Sequence, residues 1–333
     1  MTKKADKPVA KKVNAGTTNK TKKTLVKVVV PEDQGKWVRP EKLTTHYLDE
    51  KAYLPEVFFE IETADPGPFM WKWEIKWDAK VSGIRESAKR GALLKQYKES
   101  GSFNSEKKIW EMSFGGKILG GILSVEVETG KETFKRTIYL KGKNPNREMI
   151  KEYSDSLEGT EGFDKILFHE AHGKHFINAD GEPVVSFDKG YGITQMTNPA
   201  PTYEQCWSWK ENIKGGSAIY IGKRKIAKTY LKNEGKGTYS EEELQNEAYS
   251  RYNGGSYYVW DEGLKKLVAR NYVCDPKVAN IGWNAANESN QDKSPEELHE
   301  RDKDTFKLGK KGQSEEHPWV YTGICYANTV NSK

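Results

Sequence analysis

No apolar run in this chain approaches the ~18 residues that a membrane-crossing helix needs, and mean hydropathy is −0.84. No membrane-spanning segment is therefore expected. Cysteine is sparse as well. Cys206, Cys274 and Cys325 are too few for a disulfide framework that would stand in for a hydrophobic core. Cys274 and Cys325 either pair in an oxidising compartment or stay as buried free thiols. Net positive charge is missing outside the first 24 residues: eight lysines against Asp6 give that segment +7, while the whole chain carries +6, so the remainder is near −1. Nucleic-acid binding needs basic residues clustered on a folded face, so no nucleic-acid partner is expected. Residues 1–24 read as a disordered basic tail. The start also lacks the 7–15-residue apolar stretch of a secretory signal. The expectation is synthesis in the cytoplasm and, for a protein acting outside, export by a non-Sec route.

What is present points to an α+β chain of two domains, for which 333 residues leave room. From 25 to 147 the pattern is strand-like. Val57, Phe59 and Ile61 share one face of a strand, and Phe69 to Trp77 alternates in the same way. Ile109–Phe114, Ile118–Val127 and Phe134–Leu140 supply further strands, so a β-sandwich-like module is expected. Trp71, Trp73 and Trp77 read as one face of a two-sheet core, with sugar stacking as the alternative.

From 148 to 333 the period becomes helical. Lys210–Leu231 carries Ile213, Gly216, Tyr220, Ala227 and Leu231 along one face. Ser240 and Glu243 form a capping box that opens a helix ending at Asn253-Gly254-Gly255. Trp260, Leu264, Leu267 and Val268 mark one more helix, and Pro295–Phe306 a charged one. Residues 272–326 are expected to pack on this helical part.

Within the helical half, one acid is out of place. Phe163, Ile166, Leu167 and Ala171 follow the i, i+3, i+4, i+8 rhythm, and Glu170 takes the i+7 slot of the same stripe. A carboxyl there must be partnered or protonated, and desolvation favours the form that can donate a proton. The plainer alternative is a helix-edge glutamate whose head reaches water. Two further segments follow: Gly190-Tyr191-Gly192-Ile193-Thr194-Gln195-Met196, and Ala248-Tyr249-Ser250-Arg251-Tyr252-Asn253-Gly254-Gly255.

This trio resembles the lytic transglycosylase branch of the lysozyme-like family over roughly 150–260. In that family a helix-borne Glu before a small residue, a Gly-Leu-Met-Gln-type segment and an Ala-Tyr-Asn-x-Gly-type segment surround a sugar cleft. Thr194 stands where Met is usual, and Met196 follows the Gln. The resemblance implies a lysozyme-like domain over 148–333 that cuts between N-acetylmuramic acid and N-acetylglucosamine in peptidoglycan. It makes Glu170 and Tyr252 catalytic and lines the groove with Gly192, Ile193, Gln195, Met196 and Asn253. Neither a metal nor an organic cofactor is implied. With a β-module and no signal, the chain looks like a phage-tail lysin or a toxin-type effector delivered by a contractile secretion machine. That role implies secretion-machine and immunity-protein partners.

Three competitors share these residues. Asp180, Glu182 or Asp188 could orient a water and make a hydrolysing muramidase. His169, His172 and His175 crowd around Glu170, yet a zinc hydrolase of the usual kind needs His-Glu-x-x-His rather than His-Glu-x-His. A catalytically silent, glycan-binding piece of an injection device is the third.

Overall fold

The computed structural model describes residues 34–83 and 89–333; the basic tail expected over 1–24 lies outside the described residues. Eight strands come first: β1 (Trp37–Arg39), β2 (Thr45–Leu48), β3 (Phe58–Ile61), β4 (Phe69–Lys80), β5 (Leu93–Ser105), β6 (Ile109–Glu111), β7 (Gly121–Glu128) and β8 (Thr133–Gly142). Helices α1 (Arg147–Asp155), α2 (Phe163–Ala171), α3 (Tyr203–Trp207), α4 (Trp209–Glu234) and α5 (Glu241–Tyr252) follow. Then come strands β9 (Tyr258–Asp261), β10 (Lys266–Ala269), β11 (Tyr272–Cys274) and β12 (Ile281–Asn284), helix α6 (Pro295–Phe306), strand β13 (Trp319–Tyr321) and helix α7 (Gly323–Asn331). The class is α+β.

Five strands pair in the order β2-β8-β7-β4-β5, and three more as β1-β3-β6. Alternation explains the layering. Phe69, Trp71, Ile75 and Trp77 on β4 and Leu123, Val125 and Val127 on β7 turn to the buried side, as period-two strands require. Aromatics bridge the two sheets: Trp71 meets Trp37 and Trp110 with ring centroids 6.5 and 6.1 Å apart. Trp71 and Trp77 are core residues, 0% and 4% exposed, and truncating such a ring costs about 3–5 kcal/mol.

Beyond Gly142 the strand core continues into the helical half. Trp77 packs edge-on against Trp207 of α3 at 5.6 Å. The Tyr97 hydroxyl donates to the Pro201 carbonyl at 3.2 Å, and that of Tyr203 to the Gly120 carbonyl at 2.6 Å. All described residues fall in one compact unit. A second core lies among α2, α4, α5 and α7, built on Phe163, Ile166, Leu167, Ile213, Tyr220 and Tyr249. Gly216 of α4 permits a close approach, since a Cβ there would lie 2.6 Å from Thr194.

The helix expected around Trp260–Val268 is instead the β9–β10 hairpin. Its turn is set by Asp261, whose Oδ1 accepts from the Gly263 and Leu264 amides at 2.8 Å, and by Lys265 at φ 51. The helical spacing of Trp260 and Leu264 is coincidental, because Leu264 sits on the turn, 62% exposed. Finally, β11, β12 and β13 form a small sheet. The Cys274–Cys325 disulfide joins it to α7.

Candidate active site

Helix α2 ends at Ala171, where His172 turns left-handed at φ 52 and the Gly173 amide donates to the Leu167 carbonyl at 3.3 Å. The apolar stripe drives Phe163, Ile166 and Leu167 to full burial. Glu170, the residue before the last of the helix, is half-buried and lines a cavity of about 770 Å³, within the usual size of a ligand site. Its Oε1 accepts a hydrogen bond from the Tyr326 hydroxyl at 2.7 Å. Tyr326, 2% exposed on α7, is flanked by the edge of His169 at 4.9 Å and by the stacked ring of Tyr252 at 6.5 Å.

Tyr252 therefore sits one ring behind the pair. Its hydroxyl is directed at the Thr194 carbonyl, at 3.4 Å. Burial pushes the Tyr252 phenol well above its ordinary range, and the Glu170 charge adds to the shift. The tyrosine hydrogen-bonded to Glu170 is not the Tyr252 that the resemblance makes catalytic but Tyr326, 156 residues downstream of the carboxyl. No local motif could have flagged it.

Residues 190–196 form a tight loop. The Tyr191 amide and carbonyl exchange hydrogen bonds with Met196 at 3.1 and 3.2 Å. Gly192, at φ 67, has no room for a side chain, since a Cβ would lie 2.5 Å from the His175 ring. Gln195 lines the cavity and donates through Nε2 to the Gly192 carbonyl at 2.8 Å. Asn253, the residue that ends α5, lines it too. Ile193 and Met196 point elsewhere: at 0% and 3% exposure their side chains anchor the loop in the core.

Two buried polar residues hold this loop. His175 accepts the Ile193 amide at Nδ1, 3.2 Å, and donates from Nε2 to the Cys206 carbonyl at 2.9 Å. Burial takes its pKa down to about 3, so the ring is neutral at pH 7 and this tautomer completes both bonds. Asn212 on α4 accepts from the Thr194 amide and hydroxyl at 3.0 and 2.9 Å and donates to the Tyr191 carbonyl at 3.1 Å. The histidines thus diverge: His175 is committed to the loop while His172 is exposed at the helix end. Among the described residues no group of three or more His, Cys, Asp and Glu could hold a metal ion.

The loop acids are engaged outside the cavity. Glu182 accepts from Lys141 at 2.5 Å and from the Trp77 indole at 3.3 Å, tying the loop to the strands. Asp188 accepts from Ser186, and exposed Asp180 lies 4.0 Å from Arg90. Among the described residues that line the cavity, Glu170 is the one carboxylate. Sequence reading also missed Phe187, a cavity residue left 41% exposed, and the wall formed by residues 277–280. No helix among the described residues is long and apolar enough to cross a membrane. The chain matches no protein-family model, no curated protein and no solved structure.

Proposed function

We propose that the chain is a peptidoglycan lytic transglycosylase, cutting glycan strands between N-acetylmuramic acid and N-acetylglucosamine. In this reading residues 148–333 are its lysozyme-like catalytic part and the 25–147 strands an accessory sandwich. One observation carries the reading: Glu170, the one carboxylate among the described residues that line a cavity of sugar-binding size, is braced there by a buried tyrosine.

The chemistry needs a proton on the leaving oxygen while positive charge builds at the anomeric carbon. Glu170 gives that proton. The resulting carboxylate then takes the proton of the sugar's 6-hydroxyl, whose oxygen attacks the anomeric carbon and closes a 1,6-anhydro ring. Glu170 ends protonated, ready for the next bond. Ordinary glycosidases divide this labour between two carboxyl groups about 5–9.5 Å apart. A cavity whose described lining offers one carboxylate supports the single-residue route. Tyr326 orients Glu170 by its hydrogen bond. Gln195 and Asn253 provide amides for sugar hydroxyl and N-acetyl groups, and the exposed Phe187 ring, over which the Lys89 ammonium sits at 4.3 Å, offers an apolar edge to a pyranose.

Delivery as an antibacterial effector, exported by a non-Sec route to the periplasm or wall of a target cell and countered by an immunity protein, completes the proposal. The Cys274–Cys325 disulfide supports an oxidising destination. Mass spectrometry of digested sacculi is the test. Anhydro-muropeptides are expected and should form equally in the presence of a chelator. Reducing-end products would make the protein a muramidase, and intact strands would leave it a glycan-binding component.

A further inference from the structure

The cavity beside Glu170 carries positive charge that bond cleavage does not use. Its described lining includes two lysines, Lys174 and Lys277, against the single carboxylate. Lys174 follows the His172 end of α2 by two residues. Lys277 arrives from a distant part of the chain, on the turn between β11 and β12.

That turn is fixed from beneath. Asp275 Oδ1 accepts from the Lys277 and Val278 amides at 2.8 and 2.7 Å, and its Oδ2 pairs with buried His299 at 2.7 Å. The preceding residue, Cys274, is bonded to Cys325, next to Tyr326 on α7. The same helix that braces Glu170 thus positions the backbone that presents Lys277. The lysine's own partner is Glu300, 3.8 Å away, with both side chains more than half exposed. Such a pair is weak and readily exchanged for another carboxylate.

We propose that Lys174 and Lys277 recognise a carboxylate on the lactyl arm that N-acetylmuramic acid carries and N-acetylglucosamine lacks. The cleft thereby becomes selective for muramic-acid glycans over neutral N-acetylglucosamine polymers. The inference rests on the glycan-cleaving reading above. A neutral sugar polymer offers the two ammonium groups little that water does not, whereas a carboxylate entering the partly enclosed cleft gains charge-assisted hydrogen bonds. That carboxylate is either the free lactyl acid of a peptide-free strand or an acidic group of a stem peptide attached to the arm.

Calorimetric titration of the full-length Glu170→Gln protein, which does not consume its ligand, tests this. Three soluble ligands of equal sugar length are compared: a stem-bearing muropeptide, the same glycan with free lactyl acid, and an N-acetylglucosamine oligomer. At least one carboxylate ligand is expected to bind about three- to tenfold tighter than the neutral one, with the advantage shrinking at high salt. Which of the two leads identifies the source of the carboxylate. In a Lys174→Ala/Lys277→Ala background the ratio should fall toward one, while Lys228→Ala, exposed on α4, preserves it. Equal binding of charged and neutral ligands, an unchanged ratio in the double variant, or no binding of any of the three overturns the inference. Intact sacculi after digestion by the wild type would count against the cleavage reading instead, and the binding ratio would still decide this one.

Discussion

Helices α2 and α5 each turn an acid inward, and the two acids meet opposite surroundings. Glu247 on α5 is 0% exposed and saturated. Its carboxylate accepts from the Tyr257 and Tyr258 amides at 2.8 and 3.1 Å and from Ser256 at 3.1 Å, with Arg251 at 2.7 Å. Glu170 on α2 opens on a cavity and is steadied by a phenol. An acid on the inner face of a helix is thus not a catalytic signature by itself. Surrounded by backbone amides and an arginine it is structural; set at the wall of a cleft it has room to exchange a proton.

The sharpest way to break this comparison is to remove each acid in turn. Glu247→Ala strands a partly buried arginine and two amides, and urea unfolding should show a loss of about 3–5 kcal/mol. Glu170→Gln should stay within about 1 kcal/mol of the wild type while activity drops by roughly 10²–10⁴. Equal stability losses would erase the distinction.

An effect spread over pH concerns the loop that carries Gln195. His175 has a folded pKa near 3, below the ordinary ~6.5 it regains on unfolding. The unfolded chain therefore takes up a proton first as the medium is acidified. The stability contributed by neutral His175 is fully present above pH ~6.5 and is lost on falling toward 3, at up to about 1.4 kcal/mol per pH unit. Thermal melts across that window should show a shallower slope for His175→Gln than for the wild type.

The smallest effect separates two tyrosines. Tyr326→Phe removes the hydrogen bond to Glu170 and should lower kcat/KM by about tenfold, as loss of a bond to a charged group does. Tyr252→Phe, whose hydroxyl makes only a long contact to Thr194, should cost less. A reversed ranking would return the bracing role to the tyrosine that the sequence motif suggests.

Much of this molecule is legible in one dimension wherever a short period governs. Alternation finds β3, β4, β7 and β8, and the capping box at Ser240 opens α5. Strand β5 escapes because it is an edge strand whose inner face, carrying Tyr97 and Phe103, is interrupted by Glu99 and Gly101, so no unbroken apolar alternation betrays it. The site divides in the same way. Glu170, Gln195 and Asn253 lie in local motifs and meet at one cavity, and Gly192 shapes the loop beside them. Tyr326, Phe187 and Lys277 arrive through tertiary packing across as many as 156 residues, a distance over which periodicity carries no information. Ile193 and Met196 lie inside a motif yet serve the core, because a loop this tight must bury its own anchors.

Murein release from purified sacculi by wild-type protein and by Glu170→Gln, each verified as folded and glycan-binding, addresses the central claim most directly. The account predicts soluble anhydro-muropeptides from the wild type and almost none from the variant. Equal release by the two proteins would contradict it, because the proton would then have to come from some other group.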